Sequence, residues 1–330
     1  MENRKFGRMG RSVGVVGLGA WQLGADWGDV SEADAHATLQ AAVDAGVTFI
    51  DTADVYGDGR SEQIIGSFIK AQLSESEPQL TVATKMGRRM AQEPGNYTLD
   101  NFRAWTDRSR ANLGVDTLDL VQLHCPPTPV FSSGAVYDAL DTLVQEKRIR
   151  SYGVSVEKVE EALAAIARPG TASVQIILNA FRLKPLERVL PAAAEAGVGI
   201  IARVPLASGL LSGRYDENTA FAADDHRNYN RRGEAFDVGE TFSGVDFATG
   251  LEAVRRLRPL VPEGFTMAQF ALRWVLDQAG LTVVIPGARN PEQARANAAV
   301  AELPSLSDEA KAGVREVYDE LIRPQVHDKW

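Results

Sequence analysis

The chain has 330 residues, of which 45% are hydrophobic and 24% charged, and its formal net charge is −9. This is the composition of a soluble globular protein; no apolar run approaches the roughly 20 residues needed to span a bilayer, and the acidic balance disfavours nucleic acid or an anionic membrane as partner. The single cysteine, Cys125, excludes an internal disulfide and a thiolate-rich metal site, and it reads as a small filler at a strand end. Residues 1 to 14, MENRKFGRMGRSVG, contain no apolar stretch before a small-residue cleavage site, so no secretory signal is read and a cytoplasmic location is expected. The part KFGRMGRSVG predicts a hairpin. Short Val/Ile/Leu-rich strands then follow at 14 to 20, 47 to 51, 80 to 85, 118 to 124, 149 to 155, 173 to 179, 198 to 203 and 281 to 287. Helical patterns fall at 31 to 46, 60 to 73, 99 to 113, 134 to 147, 157 to 168, 185 to 196, 266 to 279 and 291 to 301. Ser31 with Asp34 and Pro291 with Glu292 suit helix starts, and Gly46 and Gly197 suit helix ends.

Continuous apolar strands that alternate with helices belong to a parallel sheet buried on both faces, and an uninterrupted series of such units favours a closed (β/α)8 TIM barrel over a doubly wound sheet. Barrels of this size form one domain, expected to span 1 to 330, with the hairpin under the barrel. Two additions depart from the plain barrel. The Gly-, Asp- and Arg-rich stretch from Ser212 to Phe247 follows the seventh strand and is expected to act as a cofactor or substrate lid, leading into an extra helix near 248 to 259. A further helix is expected near 307 to 321, followed by RPQVHDKW.

Gly17, Gly19 and Gly24 do not make a nucleotide loop: the sequence from Gly17 is GLGAWQ, which breaks GxGxxG at Gln22, and no helix opens there. The four histidines, His36, His124, His226 and His327, lack metal-ligand spacing, so no metal is expected.

Four polar residues stand where chemistry belongs in a barrel, at or just beyond the ends of consecutive strands: Asp51 and Tyr56 after VTFI, Lys85 after LTVAT and His124 after LDLVQL. A phenol has a pKa of about 10, and a nearby ammonium favours phenolate, so Lys85 is expected to lower the pKa of Tyr56. Asp51 can pair with Lys85, and His124 can hydrogen-bond a substrate oxygen. A lone Asp-Lys pair would usually be structural, but the four together suit proton delivery to a carbonyl under reduction.

From these residues on, the chain resembles an aldo-keto reductase nearly from end to end, within the bacterial branch that is also similar to inositol-operon reductases and potassium-channel β subunits. The block GVTFIDTADVYGDGRSEQIIG keeps the family's Asp-x4-Tyr spacing. The resemblance implies Asp51, Tyr56, Lys85 and His124 as catalytic tetrad, Tyr56 as proton donor, and NADPH bound without a Rossmann motif. It implies Ser155 and Gln175 as holders of the nicotinamide carboxamide, with Val156 replacing a polar family residue. RVPLASGLLSGR at 203 to 214 resembles the pyrophosphate segment, implying Arg203, Pro205, Leu206, Ser208, Gly209 and Arg214; Arg203 stands where the family commonly has Tyr or Trp against the nicotinamide. IPGARNPEQARAN resembles the adenosine 2′-phosphate site, implying Gly287, Arg289, Gln293 and Asn297, with Ala296 replacing a frequent Glu. Ala20, Trp21 and Asp51 line the cofactor on the same ground, while Trp27, Met86, His226 and Arg227 are expected to shape the substrate pocket. A cationic Arg289 favours NADPH over NADH. The implied activity is reduction of a small aldehyde or ketone; the alternative is an NADP-binding regulatory subunit with little turnover.

Overall fold

In the computed structural model, which describes residues 1–24, 30–72 and 80–330, Asn3–Lys5 (β1) and Ser12–Gly14 (β2) pair antiparallel as the expected hairpin. Phe6, at its turn, is fully buried and stacks on Phe49 at 5.2 Å between ring centroids, so the hairpin plugs the bottom of the barrel. The Arg8 guanidinium donates to the carbonyls of Arg168, Pro169, Thr171 and Ala196, tying the plug to the sheet and a helix end.

Eight strands pair in parallel and in chain order: Leu18–Gly19 (β3), Phe49–Asp51 (β4), Thr81–Met86 (β5), Leu118–His124 (β6), Ile149–Ser155 (β7), Thr171–Ile177 (β8), Gly199–Arg203 (β9) and Val283–Val284 (β10). Bridges from Val16 to Val284 and from Gly19 to Gly287 join the last strand to the first and close the barrel. The first and last strands are shorter than their apolar runs suggest, because their flanking residues make only single bridges. The helices between strands are Glu32–Asp44 (α1), Arg60–Gln72 (α2), Leu99–Leu113 (α3), Gly134–Gln145 (α4), Val159–Ile166 (α5) and Pro185–Ala196 (α6). The Ser31 hydroxyl accepts from the Asp34 amide as N-cap of α1, and Gly197 takes the left-handed conformation that ends α6.

The long segment after β9 is ordered by short turns and the helix His226–Tyr229 (α7), and it leads into Phe247–Leu257 (α8). Then come Met267–Leu276 (α9), Pro291–Ala298 (α10), Asp308–Val317 (α11) and Arg323–Val326 (α12). The helix expected through 321 gives way to a π-helical turn at Tyr318–Ile322. No helix among the described residues is long and apolar enough to cross a membrane.

Two hydrophobic clusters separate cleanly. One fills the barrel interior with Phe49, Ala83, Leu120, Ile201 and Val283, while the larger one lies between strands and helices. Because a strand's side chains alternate faces, the residue two places on from each interior side chain also points inward, nearer the strand's C-terminal end. Phe49 leads to Asp51, Ala83 to Lys85, Leu120 to Gln122 and His124, and Ile201 to Arg203. The apolar floor thus hands over to a polar ceiling at one end of the barrel.

Candidate active site

Lys85 lies at the centre of that ceiling. It is 1% exposed, and its ammonium donates to Asp51 Oδ2 at 2.5 Å, to the Thr52 carbonyl at 2.9 Å and to the Tyr56 hydroxyl at 3.2 Å. The other Asp51 oxygen accepts from the side-chain amides of Gln122 at 3.1 Å and Gln175 at 2.7 Å. These three side-chain donors come from inward positions of three other strands, β5, β6 and β8.

Tyr56 is held by the turn that follows it. Gly57 and Asp58 both have left-handed backbones, and a Cβ on Gly57 would strike the Gly24 carbonyl, so that position suits glycine alone. Arg89 and Arg108 both grip Asp58. The phenol ring stacks on Trp21 at 5.9 Å and meets His124 edge-on at 6.0 Å.

Electrostatics correct one expectation. The pKa of Tyr56 is raised, not lowered, because burial outweighs the pull of Lys85. Burial disfavours the charge on Lys85 as well, but Asp51 and Tyr56 overcome it and its pKa ends above the ordinary value. His124 lies well below its usual value through burial and the nearby Arg88, Lys85 and Arg203, so it is a neutral imidazole. The set can hand a proton from a neutral phenol to an oxygen beside a neutral imidazole.

Asp51, Tyr56 and His124 line a cavity of about 800 Å³ that opens at the barrel's C-terminal face. The residues expected around a cofactor line the same space: Ala20 and Trp21 just after β3, Ser155 and Gln175 beside His124 and Asp51, Arg203, Pro205, Leu206, Ser208, Gly209 and Arg214 along one wall, and Gly287, Arg289, Gln293 and Asn297 at the far end. Gln293 accepts from the Arg289 amide at 2.9 Å and Asn297 donates to the Gly287 carbonyl at 3.1 Å, so both shape the loop before α10. The long segment after β9 forms part of the wall with Tyr215, His226, Arg227, Phe236 and Glu240. Met86 does not line the cavity: it follows the inward Lys85, points to the other face of β5 and is buried among strand and helix side chains. Its assignment to the substrate pocket is thereby corrected. Trp27 lies outside the described residues.

Four charged residues of the site were not anticipated. The Arg203 guanidinium donates to the Val156 carbonyl and Glu157 Oε2, both at 2.9 Å, and pairs with Glu240 Oε1 at 2.6 Å. Burial opposes its charge, but the two carboxylates hold its pKa well above the usual value. Glu157 is pushed up to about 7 by burial against the pull of Arg203, whereas Glu240 is held down because Arg203, Arg88 and Lys85 outweigh its burial. Arg88 donates to the His124 carbonyl at 3.2 Å and lines the cavity. Cys125, Glu157 and Glu240 bring ligand-type atoms within 4.8 Å of one another, and the cation these carboxylates hold is Arg203. Burial pushes the Cys125 thiol up to about 12, so it stays protonated.

Asp54 is the fourth. It is fully buried, both carboxylate oxygens lack a hydrogen-bond partner among the described residues, and burial first and Glu62 second push its pKa from 3.8 to about 7. A folded-state value above the unfolded one makes the protein most stable below the unfolded pKa and progressively less so as pH rises through about 7. Asp54→Asn is expected to stabilise the fold near pH 8 by up to about 4 kcal/mol and to change little near pH 4. Thermal unfolding at both pH values checks this, and equal shifts at the two would count against it.

A model of the Aldo/keto reductase family matches residues 15–319. The chain belongs to that family. Among relatives of this aldo/keto reductase, the aldo-keto reductase YhdN of Bacillus subtilis is 30% identical over 299 residues, covering 90% of this chain and 87% of its own. The aldo-keto reductase yakc [NADP(+)] of Schizosaccharomyces pombe is 28% identical, covering 96% and 91%. Among solved structures, the glycerol dehydrogenase AKR11B4 from Gluconobacter oxydans superposes with a TM-score of 0.75 at 28% identity, covering 98% of this chain and 96% of that one.

Proposed function

We propose that this aldo/keto reductase is an NADPH-dependent reductase of aldehydes or ketones, with Tyr56 as proton donor. One observation carries the reading: a sealed Lys85 bonded to both Asp51 and Tyr56, with Tyr56 and His124 walling the same cavity. The cavity fits a nicotinamide dinucleotide phosphate, because polar strand ends at the tetrad give way along its wall to Arg214 and, at the far end, to Arg289 beside the capped start of α10. The name of the fission-yeast relative points to the same cofactor. Ser155, Gln175 and Arg203 would hold the nicotinamide end, the 205 to 214 wall the pyrophosphate, and Gly287, Arg289, Gln293 and Asn297 the adenosine end. When bound, the cofactor supplies hydride. Tyr56 gives the carbonyl oxygen its proton, neutral His124 orients that oxygen, Lys85 sustains the phenol's acidity against burial, and Asp51 fixes Lys85. Trp21 and the lid residues His226 and Arg227 exclude water and shape the substrate end.

NADPH consumption followed across a panel of aldehydes tests the reading. Turnover of at least one carbonyl is expected, and tight NADPH binding without any turnover would instead indicate a regulatory subunit. Arg289→Ala is expected to raise the KM for NADPH about tenfold, the loss of one charge-assisted contact to the 2′-phosphate, and to leave the KM for NADH unchanged. Steady-state kinetics with both cofactors measure it; equal changes would remove Arg289 from the phosphate site.

A further inference from the structure

The lid's inner turn is held from behind by a residue remote in sequence. Trp330 is 6% exposed, and its indole Nε1 donates to Asp237 Oδ1 at 3.0 Å. The same carboxylate oxygen accepts from the Gly239 amide at 2.7 Å, so Asp237 caps the turn Val238–Glu240 while it is tied to the indole. The ring lies flat against the Arg182 guanidinium, whose carbon is 3.5 Å from a ring centroid. Arg182 is 2% exposed, and its Nε and Nη2 make no hydrogen bond among the described residues, so the indole face is a principal neighbour of a buried cation. The indole also packs against Gly244, where a Cβ would collide with the ring.

The turn pinned in this way faces the cavity with Glu240, which pairs with Arg203. It is also bonded to the wall assigned to pyrophosphate: Ser208 donates to the Glu240 carbonyl at 3.0 Å and accepts from the Phe242 amide at 3.0 Å, and Asn179 links Ser243 to the Val204 carbonyl. A displacement of the 237 to 244 turn therefore moves both Glu240 and Ser208.

We propose that Trp330 is a positioning residue for cofactor binding: through Asp237 and Arg182 it fixes the turn that sets Glu240 on Arg203 and braces the 205 to 209 wall. This rests on the cavity being the NADPH site. Trp330 does not line the cavity and acts only through the turn.

The test is NADPH binding to the full chain, read by fluorescence titration, for the wild type, Trp330→Phe, Trp330→Ala, Glu240→Gln and the Trp330→Ala/Glu240→Gln double variant. Trp330→Ala is expected to raise the Kd for NADPH about tenfold, as when the binding-competent arrangement falls to about a tenth of the population. Trp330→Phe keeps a ring for Arg182 but loses the N–H, and should fall between. Because the effect runs through the turn that carries Glu240, Trp330→Ala should change the Kd much less on the Glu240→Gln background. A Kd unchanged within twofold in both Trp330 variants, with or without a lower melting temperature, overturns the proposal, as does an equal effect on both backgrounds. Should Trp330→Ala fail to fold, Trp330→Phe decides alone: a raised Kd supports the proposal and an unchanged one overturns it. A wild-type chain that does not bind NADPH would refute the cofactor assignment itself, which is a separate result.

Discussion

Replacing Tyr56 by Phe is expected to lower the rate of aldehyde reduction by about 10²- to 10⁴-fold, the range of a general acid's contribution, while NADPH still binds. The phenol is the proton source the geometry offers: it accepts from Lys85 at 3.2 Å, its ring stacks on Trp21, and it shares the cavity with a neutral His124. Deleting one oxygen leaves the turn at Gly57 and Asp58 and the ring packing intact, so the loss should appear in kcat rather than in cofactor affinity. The raised pKa of Tyr56 gives this prediction a pH signature. Reduction needs the protonated phenol, which is the form present throughout the neutral range, so Tyr56 should put no break in the rate there, nor should His124 near 6.5. Alcohol oxidation needs the phenolate and should rise with pH. Single-turnover and steady-state rates in both directions check this; a Phe variant with wild-type turnover would remove Tyr56 from the chemistry.

Lys85→Met carries the second large effect, and it has two separable parts. Removing the ammonium leaves the buried Asp51 carboxylate with the amides of Gln122 and Gln175 as its side-chain donors among the described residues, and breaking one side of a buried ion pair costs about 3 to 5 kcal/mol. The folded pKa of Lys85 lies above the ordinary value of 10.5, so its ammonium's contribution to the pair is in place at neutral pH and is lost as pH rises through that raised value. Turnover should fall by about 10²-fold or more, because the influence that opposes burial at the Tyr56 hydroxyl is gone. Adding Asp51→Asn removes the stranded charge and should restore much of the stability without restoring turnover. Denaturant unfolding and kinetics on the same samples distinguish the two parts, and recovery of turnover along with stability would make Lys85 a structural residue only.

The barrel was legible because its signals are local. Apolar runs of strand length alternate with helical periodicity, and Ser31 and Gly197 mark helix ends by their own backbone chemistry. The cluster of Asp51, Tyr56, Lys85 and His124 was legible for the same reason, each member standing at a strand end or one loop beyond it. Strand parity carries further than strand position: Met86 is adjacent to Lys85 but points to the opposite face, and the same rule places Gln122 inside, two residues before His124. Gln175 illustrates a role sequence could not separate, since it lines the cavity and at the same time donates to Asp51. The sign of the Tyr56 shift depends on how deeply the phenol is packed, which no spacing encodes. Glu157 and Glu240 were missed because the reason for two acids there is Arg203, 46 and 37 residues away in sequence and brought to them only by the folding of the barrel and of the segment after β9.

Hydride transfer itself is followed most directly with NADPH deuterated at nicotinamide C4 on the transferred face and a reducible aldehyde, the alcohol being analysed by mass spectrometry. One deuterium on the carbinol carbon, with the hydroxyl proton drawn from solvent through Tyr56, is the predicted result. NADPH that binds in the cavity but leaves every carbonyl unlabelled and unreduced would contradict the assignment of this site to carbonyl reduction.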